Sequence, residues 1–280
     1  MINYDISSPN DVTYVADWVE FHVAYEHESL SKAELSSSIE GAQGDEPSED
    51  FISSVWNELE IRQILYGENS PFRVNGGIIE PILNWKDKPF YMAFLIYSLE
   101  GNPNTPETTA VDGGKLFEKI CREAIEKYVG GKALIYGFPA EQTVQEIATA
   151  QLNEKFVFTP PGYRKDRNLD IFAWKPFGDN RSSQVVILVQ CATGFNWKGK
   201  LNELNISAWT KYIHFSATPI KGFAAPVTVT NAQRIEEHST DGGIFFDRLR
   251  LFRLLTSLPQ ELHNECIDWC TIRLKQILNE

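Results

Sequence analysis

The chain of 280 residues has a mass of 31.8 kDa and is 42% apolar and 23% charged, a composition typical of a globular protein with one large or two modest domains. Its longest apolar stretch, PFYMAFLIYSL, is shorter than the roughly 18 residues of a membrane helix, and no secretory signal opens the chain, so the sequence argues against membrane and secreted proteins. Four cysteines in a chain of this length do not indicate a disulfide framework, and we expect a cytoplasmic protein.

Negative charge is concentrated at the front of the chain. Residues 1–60 contain fourteen Asp and Glu but a single basic residue, Lys32, so they carry a net −13, and residues 61–280 carry a net +1 of the total of −12. Residues 162–200 contain seven Lys and Arg against three Asp. The total charge argues against a simple nucleic-acid binder, but this local positive excess is compatible with a phosphate-bearing substrate. The acidic front is then a solvated surface, a shield for such a site, or a face for a basic partner.

The predicted N-terminal region, residues 1–112, is acidic and mostly helical. Valines at helical spacing predict a helix over residues 11–28, with Asp11 as its N-cap. His22 and His27 are five positions apart and do not share a helix face, so we expect both at the surface.

Three further segments precede the predicted domain boundary at residue 112. A second amphipathic helix is predicted over residues 50–66. Asn75-Gly76 is a favoured turn between two short strands and predicts a hairpin. Residues 89–99 form a buried helix or a buried strand, and periodicity does not distinguish the two.

Residues 113–280 alternate helical and strand patterns, which predicts an α/β domain. The predicted elements outside the central hairpin are a helix over 115–129, a strand over 132–138, a helix over 141–152, a helix over 200–214, a strand over 222–230, a helix over 242–258 and a final helix over 258–278. Arg248, Arg250 and Arg253 in the helix over 242–258 line a phosphate groove, pair with the acidic front, or lie on an exposed helix face.

Two consecutive strands stand at the centre of this domain. They are predicted over Leu169–Trp174 and Gln184–Cys191, and the second contains VVILV, a continuous apolar run typical of a strand buried on both faces. The connecting segment KPFGDNRSS is rich in turn-forming residues. The two strands are therefore predicted to pair as a hairpin.

Polar residues occupy one end of this predicted hairpin. Asp170 lies near the start of the first strand and Gln190 at the end of the second, so antiparallel pairing brings them side by side. Lys165, Lys198 and Lys200 are close in sequence. A carboxylate and an amide oxygen are hard ligands that suit Mg²⁺, and an ammonium stabilises the charge that develops on a phosphate under attack. The combination predicts a magnesium-dependent phosphodiester hydrolase.

LDIFAWKPF followed by VVILVQCATG resembles the PD-(D/E)xK nuclease superfamily, in its Mrr-like branch that carries Gln in place of Asp or Glu. The resemblance covers roughly residues 115–230, where the predicted order of helix, strand, strand, strand, helix and strand is the core order of that superfamily. It implies a restriction endonuclease-like core, a mixed sheet flanked by helices, within residues 113–280. It also implies that a Glu of the first helix is directed at the active site, and Glu118 matches by position, although Glu118 is equally well placed to pair with Arg122 on the helix surface.

The chain departs from the pattern at the third position of Gln-x-Lys, where Ala192 stands. Either the lysine has moved, with Lys200 as the first choice and Lys198 or Lys165 as the others, or the site is not catalytic. In the second case Asp170 caps a turn, and the fold is a scaffold.

The resemblance implies a metal-dependent endonuclease that hydrolyses DNA phosphodiester bonds in prokaryotic defence against foreign DNA. It implies Mg²⁺ or Mn²⁺ held by Asp170, Gln190 and Glu118, and a lysine that orients water. DNA is the expected partner, with a helicase or ATPase and a second copy of the chain as further partners. The alternatives are an inactive nuclease-fold scaffold or regulatory subunit that binds a protein, and a nuclease whose substrate is RNA rather than DNA. Walker, GxGxxG, HExxH and GxSxG motifs are absent from the sequence, which disfavours nucleotide hydrolases, dinucleotide enzymes and zinc proteases.

Overall fold

A computed structural model describes residues 6–101, 111–136, 142–160 and 167–278. The chain divides into two compact units. The first consists of Met1–Gly113, Pro226–Thr230 and Arg248–Glu280, and the second of Gly114–Ala225 and Asn231–Asp247.

Helices dominate the first part of the chain, and short strands alternate with helices in the rest. The first half of the chain contains α1 (Val12–Glu26), β1 (Leu30–Ser31), α2 (Lys32–Gln43), α3 (Glu49–Tyr66), β2 (Phe72–Asn75), β3 (Ile78–Pro81), α4 (Pro89–Glu100), α5 (Gly113–Val129) and β4 (Lys132–Ile135). The second half contains α6 (Val144–Glu146, continued by a π-helical turn, Ile147–Gln151), β5 (Lys155–Phe156), β6 (Ile171–Lys175), β7 (Val185–Cys191), α7 (Trp197–Lys200), α8 (Ile206–Tyr212), β8 (Ile213–His214), β9 (Ile220–Ala224), α9 (Ala232–Gly242), β10 (Ile244–Phe246), α10 (Arg248–Leu254) and α11 (Gln260–Ile277).

The first unit is a helical bundle with a small sheet of order β1-β3-β2. The segment that begins at Pro89 is the helix α4, and it packs against α1 and α11. Its residues are buried on every side, as expected for a helix that is apolar all round. The predicted cap and turn are confirmed: Asp11 accepts hydrogen bonds from the first turn of α1, and Asn75 pairs with Ile78 across the hairpin turn.

Charged side chains lie in the core of the first unit. Asp17 and Glu20 of α1, Arg62 of α3 and Arg248 of α10, which together form the buried ion cluster, are each no more than 3% exposed. Both guanidinium groups bind Asp17 Oδ1 and Glu20 Oε1, at 2.6 to 3.1 Å. Of the roles considered for Arg248, the structure therefore selects the pairing with the acidic front.

His22 differs from the sequence prediction. The sequence predicts it at the surface, but its side chain is buried and stacks on Trp18 with ring centroids 5.2 Å apart. Burial lowers the pKa of His22 to about 4, so the ring is neutral near pH 7.

The second unit is built on a five-stranded mixed sheet of order β10-β9-β7-β6-β4. Strand β6 is antiparallel to β4 and to β7, whereas β9 is parallel to both of its neighbours, β7 and β10. The residues of VVILV after Val185 are buried although they alternate between the two faces of the sheet, so both faces of β7 are covered.

Helices cover both faces of this sheet. On one face, Tyr128 of α5 packs edge-on against Phe246 of β10. On the other face, α6 and α8 contribute to a core that contains Phe172, Leu188 and Trp209. The second unit is therefore a three-layer α/β structure, in agreement with the predicted α/β class. Within the described residues, no helix combines the length and apolar character required to cross a membrane.

The structure differs from the predicted elements near the end of the second unit. The single helix expected over residues 242–258 is divided into strand β10 and helix α10, and the helix expected over 200–214 is divided into α7, α8 and β8. Residues 248–280, which the sequence assigned to the nuclease domain, belong to the first unit, because Arg248 is held by the carboxylates of α1 and α11 packs against α4.

Candidate functional site

The β6–β7 hairpin brings Asp170 and Gln190 to the same end of the sheet. The ladder pairs Ile171 with Val189, and the N–H of Asp170 donates to the carbonyl of Val189 at 3.0 Å. The N–H of Cys191 donates to Asp170 Oδ2 at 2.7 Å. The carboxylate of Asp170 therefore replaces a backbone carbonyl as the hydrogen-bond acceptor at the end of β6. Its partner, Cys191, is the residue that follows Gln190 on β7.

Gln190 is 4% exposed, and its two amide atoms have different environments. Nε2 donates to Glu203 Oε2 at 3.0 Å. Oε1 is buried and has no hydrogen-bond partner among the described residues. The opposite amide orientation is disfavoured, because it would place Oε1 against the Glu203 carboxylate. A buried oxygen without a partner is destabilising by about 1–3 kcal/mol unless a ligand or ion reaches it.

The segment that leads into Asp170 has an unusual backbone. Arg167 and Asn168 are consecutive residues in the left-handed region, with φ of 54° and 59°. This conformation is tolerated by Asn but is disfavoured for Arg. The Arg167 guanidinium lies 5.2 Å from the centroid of the Tyr212 ring, and its Nε is buried without a partner in the described part of the chain. Local strain of this kind is concentrated at functional sites, and here it lies three residues from Asp170.

Glu118 is a residue of α5, and it lies near the same end of the sheet as Asp170 and Cys191. Its carboxylate accepts from Lys115 Nζ at 3.0 Å, whereas Arg122, the partner considered from the sequence, pairs with Glu126 at 3.0 Å. Burial, the neighbouring Cys121 thiol, and the charges of Asp170 and Glu118 raise the pKa of the Cys191 thiol. Both carboxylates are therefore within electrostatic reach of one thiol.

The sheet separates Glu118 from the amide of Gln190. Gly222 and Phe246 share the face that α5 covers, and the ladder places Cys191 on that face as well. Because side chains alternate along a strand, Gln190 points to the opposite face, where it meets Glu203. The structure therefore sets Asp170 opposite Gln190 in the hairpin and places Asp170 and Glu118 within electrostatic reach of the Cys191 thiol, but Glu118 and the amide of Gln190 lie on opposite faces of the sheet.

The predicted lysines occupy different positions. Lys198 is exposed, and its Nζ lies 5.6 Å from the Trp197 ring. Burial and the charge of Lys198 lower the pKa of His238, which places Lys198 beside α9. Lys200 is half-buried, and its carbonyl accepts the N–H of Glu203 at 3.0 Å, which connects it to the residue that binds Gln190. Lys165 lies outside the described residues.

Two charged residues near the site were not predicted. Glu203 follows Lys200 by three positions, in the turn before α8, and only its proximity to Lys200 in sequence could have indicated it. Lys221 of β9 donates to the carbonyls of Leu201 and Asp241, both at 2.7 Å, and its burial lowers its pKa. Its ammonium holds the turn after α7 to the end of α9.

Among the residues that the structure describes, no three His, Cys, Asp or Glu side chains lie close enough together to hold a metal ion. Comparisons of the chain with protein-family models, with curated proteins and with solved structures found no match.

Proposed function

We propose that this protein is a Mg²⁺- or Mn²⁺-dependent nuclease that hydrolyses phosphodiester bonds of DNA at the end of the β6–β7 hairpin. The observation that carries the proposal is the buried oxygen of Gln190, which has no partner within the described residues, on a residue that the β6–β7 register sets opposite Asp170. A cation that this oxygen helps to bind would explain a buried acceptor of this kind.

The residues present fit a magnesium ion. Asp170 supplies a carboxylate and Gln190 an amide oxygen, and both are the hard ligands that Mg²⁺ prefers. Mg²⁺ commonly binds through one or two carboxylates and keeps several water molecules, so a cage of three acidic side chains is not required. Glu118 is not a ligand in this proposal, because it lies on the other face from Gln190 and is paired with Lys115.

Each residue has a distinct role in the proposed reaction. The bound ion supplies Lewis-acid stabilisation of charge on the phosphate. Glu203 holds the amide of Gln190 so that Oε1 faces away from it, and the N–H of Cys191 fixes the carboxylate of Asp170. Lys200 is assigned as the cation that orients water and stabilises the negative charge of the transition state.

The order of elements supports the proposed nuclease core. Helix α5, strands β4, β6 and β7, helix α8 and strand β9 follow the helix, strand, strand, strand, helix, strand order of the PD-(D/E)xK superfamily. Helix α6 and the small β5–β8 sheet are additions to that order. A nuclease of this kind acts in defence against foreign DNA, and the net charge of −12 favours a partner protein that brings the chain to DNA.

The test is calorimetric Mn²⁺ binding, followed by cleavage of plasmid DNA, for wild type and Asp170→Asn. The amide oxygen of Asn still accepts the Cys191 N–H, so the variant removes the charge while it keeps the hydrogen bond. We expect at least a tenfold loss of Mn²⁺ affinity and loss of cleavage. Asp179→Asn is the matched control, because Asp179 is a carboxylate of the same hairpin, paired with Arg181 in the connecting turn. Unchanged Mn²⁺ binding in Asp170→Asn would rule out the proposed site.

A second candidate is a non-catalytic scaffold that binds a protein such as a helicase or ATPase. The observation that favours it is Ala192, which stands where the pattern has Lys and is 4% exposed. For this candidate we expect no metal-dependent cleavage by wild type, and co-purification with the partner that is unaffected by Asp170→Asn.

A further inference from the structure

Two exposed phenylalanines belong to the polypeptide of the β6–β7 hairpin, at opposite ends of it. Phe195 is 69% exposed and follows the end of β7, and Phe177 is 77% exposed in the turn between the two strands. Single exposed apolar side chains are common on protein surfaces, so exposure alone does not indicate a function. The surroundings of Phe195 are what distinguish it from Phe177.

Phe195 lies at the same end of the hairpin as the candidate site. It is four residues beyond Cys191, whose N–H binds the carboxylate of Asp170. An extended chain spans at most about 3.6 Å per residue, so Phe195 lies within about 14 Å of that hydrogen bond. Phe177, in contrast, follows the end of β6 that lies away from Asp170.

Cations accompany Phe195 at this end of the hairpin. Lys198 is exposed and follows Phe195 by three residues, and Lys200 is half-buried in the same short helix. Arg167 precedes Asp170 and is half-buried, with its guanidinium 5.2 Å from the centroid of the Tyr212 ring and a buried Nε that has no partner within the described residues. Positive charge is thus present on both chain segments that meet at Asp170, in a protein whose net charge is −12.

We propose that Phe195, Lys198 and Arg167 form a binding surface for single-stranded nucleic acid, in which Phe195 stacks on a base and the two cations contact phosphates. A base in a duplex is stacked on its neighbours and presents only its edges, whereas an unpaired base presents a face on which an aromatic ring can stack. The surface therefore selects single strands or frayed ends over intact duplex. The inference rests on the proposed function for the role of Asp170, but binding at this surface does not require a metal.

The test is fluorescence anisotropy of labelled oligonucleotides in EDTA, with Asp170→Asn protein so that cleavage does not interfere. The probes are a single-stranded DNA 12-mer, the RNA of the same sequence and the DNA duplex. Phe195→Ala is expected to weaken single-strand binding by about 5- to 150-fold, the range for loss of one base–aromatic stack. Phe177→Ala, the control with an equally exposed ring, is expected to bind as the parent does. Arg167→Ala is expected to reduce the slope of log K against log salt by about 0.7, the value for one phosphate contact to a single strand.

Either the DNA or the RNA strand satisfies the proposal, and the ratio of their affinities identifies the substrate. Equal affinity for the duplex, an equal effect of Phe177→Ala, or no single-strand binding by the parent protein would overturn it. Selective single-strand binding that depends on Phe195, in a wild-type protein that cleaves nothing, would leave this inference standing and remove the nuclease proposal. All variants change exposed or half-buried side chains, and their urea unfolding midpoints check that the fold is intact.

Discussion

The buried ion cluster of the first unit makes a quantitative prediction about stability. Arg62 is fully buried and uses every part of its guanidinium: Nη1 binds Asp17 at 2.6 Å and Glu20 at 2.8 Å, Nε binds Glu58 at 2.8 Å, and Nη2 donates to the carbonyl of Thr13 at 3.1 Å. Arg62→Met keeps most of the buried volume but leaves the buried carboxylates with one cation fewer. Removal of one partner from a buried ion pair is destabilising by about 3–5 kcal/mol, and we expect the upper end here.

Arg248 and Arg253 of α10 provide two comparisons. Arg248 is equally buried and binds Asp17 and Glu20 through Nη2, but its Nε and Nη1 have no partners among the residues described. Arg248→Met removes these unsatisfied donors together with the charge. Removal of the unsatisfied donors is stabilising by about 1–3 kcal/mol and offsets part of the loss caused by removal of the buried cation. We therefore expect a net loss of about 2 kcal/mol. Arg253 is exposed and donates to the carbonyl of Leu65 at 3.3 Å, so Arg253→Met should change the free energy of unfolding by less than about 1 kcal/mol.

Urea unfolding at pH 7 measures the loss of unfolding free energy in each variant, which we expect to decrease in the order Arg62→Met, Arg248→Met, Arg253→Met. The measurement is repeated at pH 3. Burial alone would raise the pKa of Asp17, but the charges of Arg248 and Arg62 outweigh burial and lower it below its ordinary value of 3.8. A carboxyl with a lowered pKa stabilises the fold above pH 3.8, and this stabilisation is lost as the pH falls further. The cost of Arg62→Met should therefore be smaller at pH 3 than at pH 7. A cost for Arg62→Met no larger than that for Arg253→Met would refute the reasoning, as would a cost that increases at pH 3.

Two further predictions concern single residues. Because the pKa of His22 is about 4 in the fold against 6.5 when unfolded, the unfolded state binds the extra proton first, and the unfolding free energy should fall between pH 6.5 and 4 by up to about 3 kcal/mol. His22→Leu should remove this slope in denaturant titrations, and a persistent slope would contradict the assignment. Gly243→Ala should be more destabilising than Gly178→Ala: the two glycines have similar φ, +76° and +79°, but an added Cβ would lie 2.1 Å from the Lys221 carbonyl oxygen at Gly243 and in open space at Gly178. We expect more than about 2 kcal/mol against about 1 kcal/mol in thermal unfolding, and equal shifts would show that backbone strain alone decides.

The central hairpin could be predicted because its signals are local. A run of apolar β-branched residues, a turn rich in Gly, Pro, Asp and Asn, and a second apolar run specify two paired strands without reference to the rest of the chain. The pairing then follows, and with it the proximity of Asp170 and Gln190. The sequence did not distinguish a helix from a strand at α4. The segment is buried on every side, so its apolar residues show no periodicity that would identify a helix.

Strand β10 could not be predicted in the same way. Ile244–Phe246 is only three residues long and pairs with β9, whose partner residues are some 22 positions earlier in the chain. Its apolar residues continue into Leu249 and Leu251, so the whole segment has the composition of one amphipathic helix. The strand exists because the sheet edge offers hydrogen-bond partners, and that is a property of the tertiary fold.

Buried polar contacts were the least predictable part of the molecule. Arg248, Arg250 and Arg253 look equivalent on a helix pattern, yet Arg248 is fully buried against Asp17 whereas the other two are exposed. Glu203 similarly gives no local signal, because its partner Gln190 is thirteen residues away on a strand. Long-range pairing of this kind depends on which faces meet, and a single sequence does not encode it in any short window.

Gln190 favours a metal site, whereas Ala192, which replaces the lysine of the nuclease pattern, favours an inactive scaffold. The two residues also differ in their effect on the stability of the fold. Ala192 lacks the ammonium of the nuclease pattern. Its methyl group is buried and its backbone N–H donates to the carbonyl of Ala224, so this residue does not destabilise the fold. The buried Oε1 of Gln190, in contrast, is destabilising by about 1–3 kcal/mol as long as it has no partner. A scaffold would lose this cost with Leu at position 190, whereas a metal site requires the oxygen. We expect Gln190→Leu to be more stable than wild type without Mn²⁺, and this difference to disappear as Mn²⁺ is added. That result would show that the amide oxygen binds the ion, and the missing lysine would then have to come from another segment.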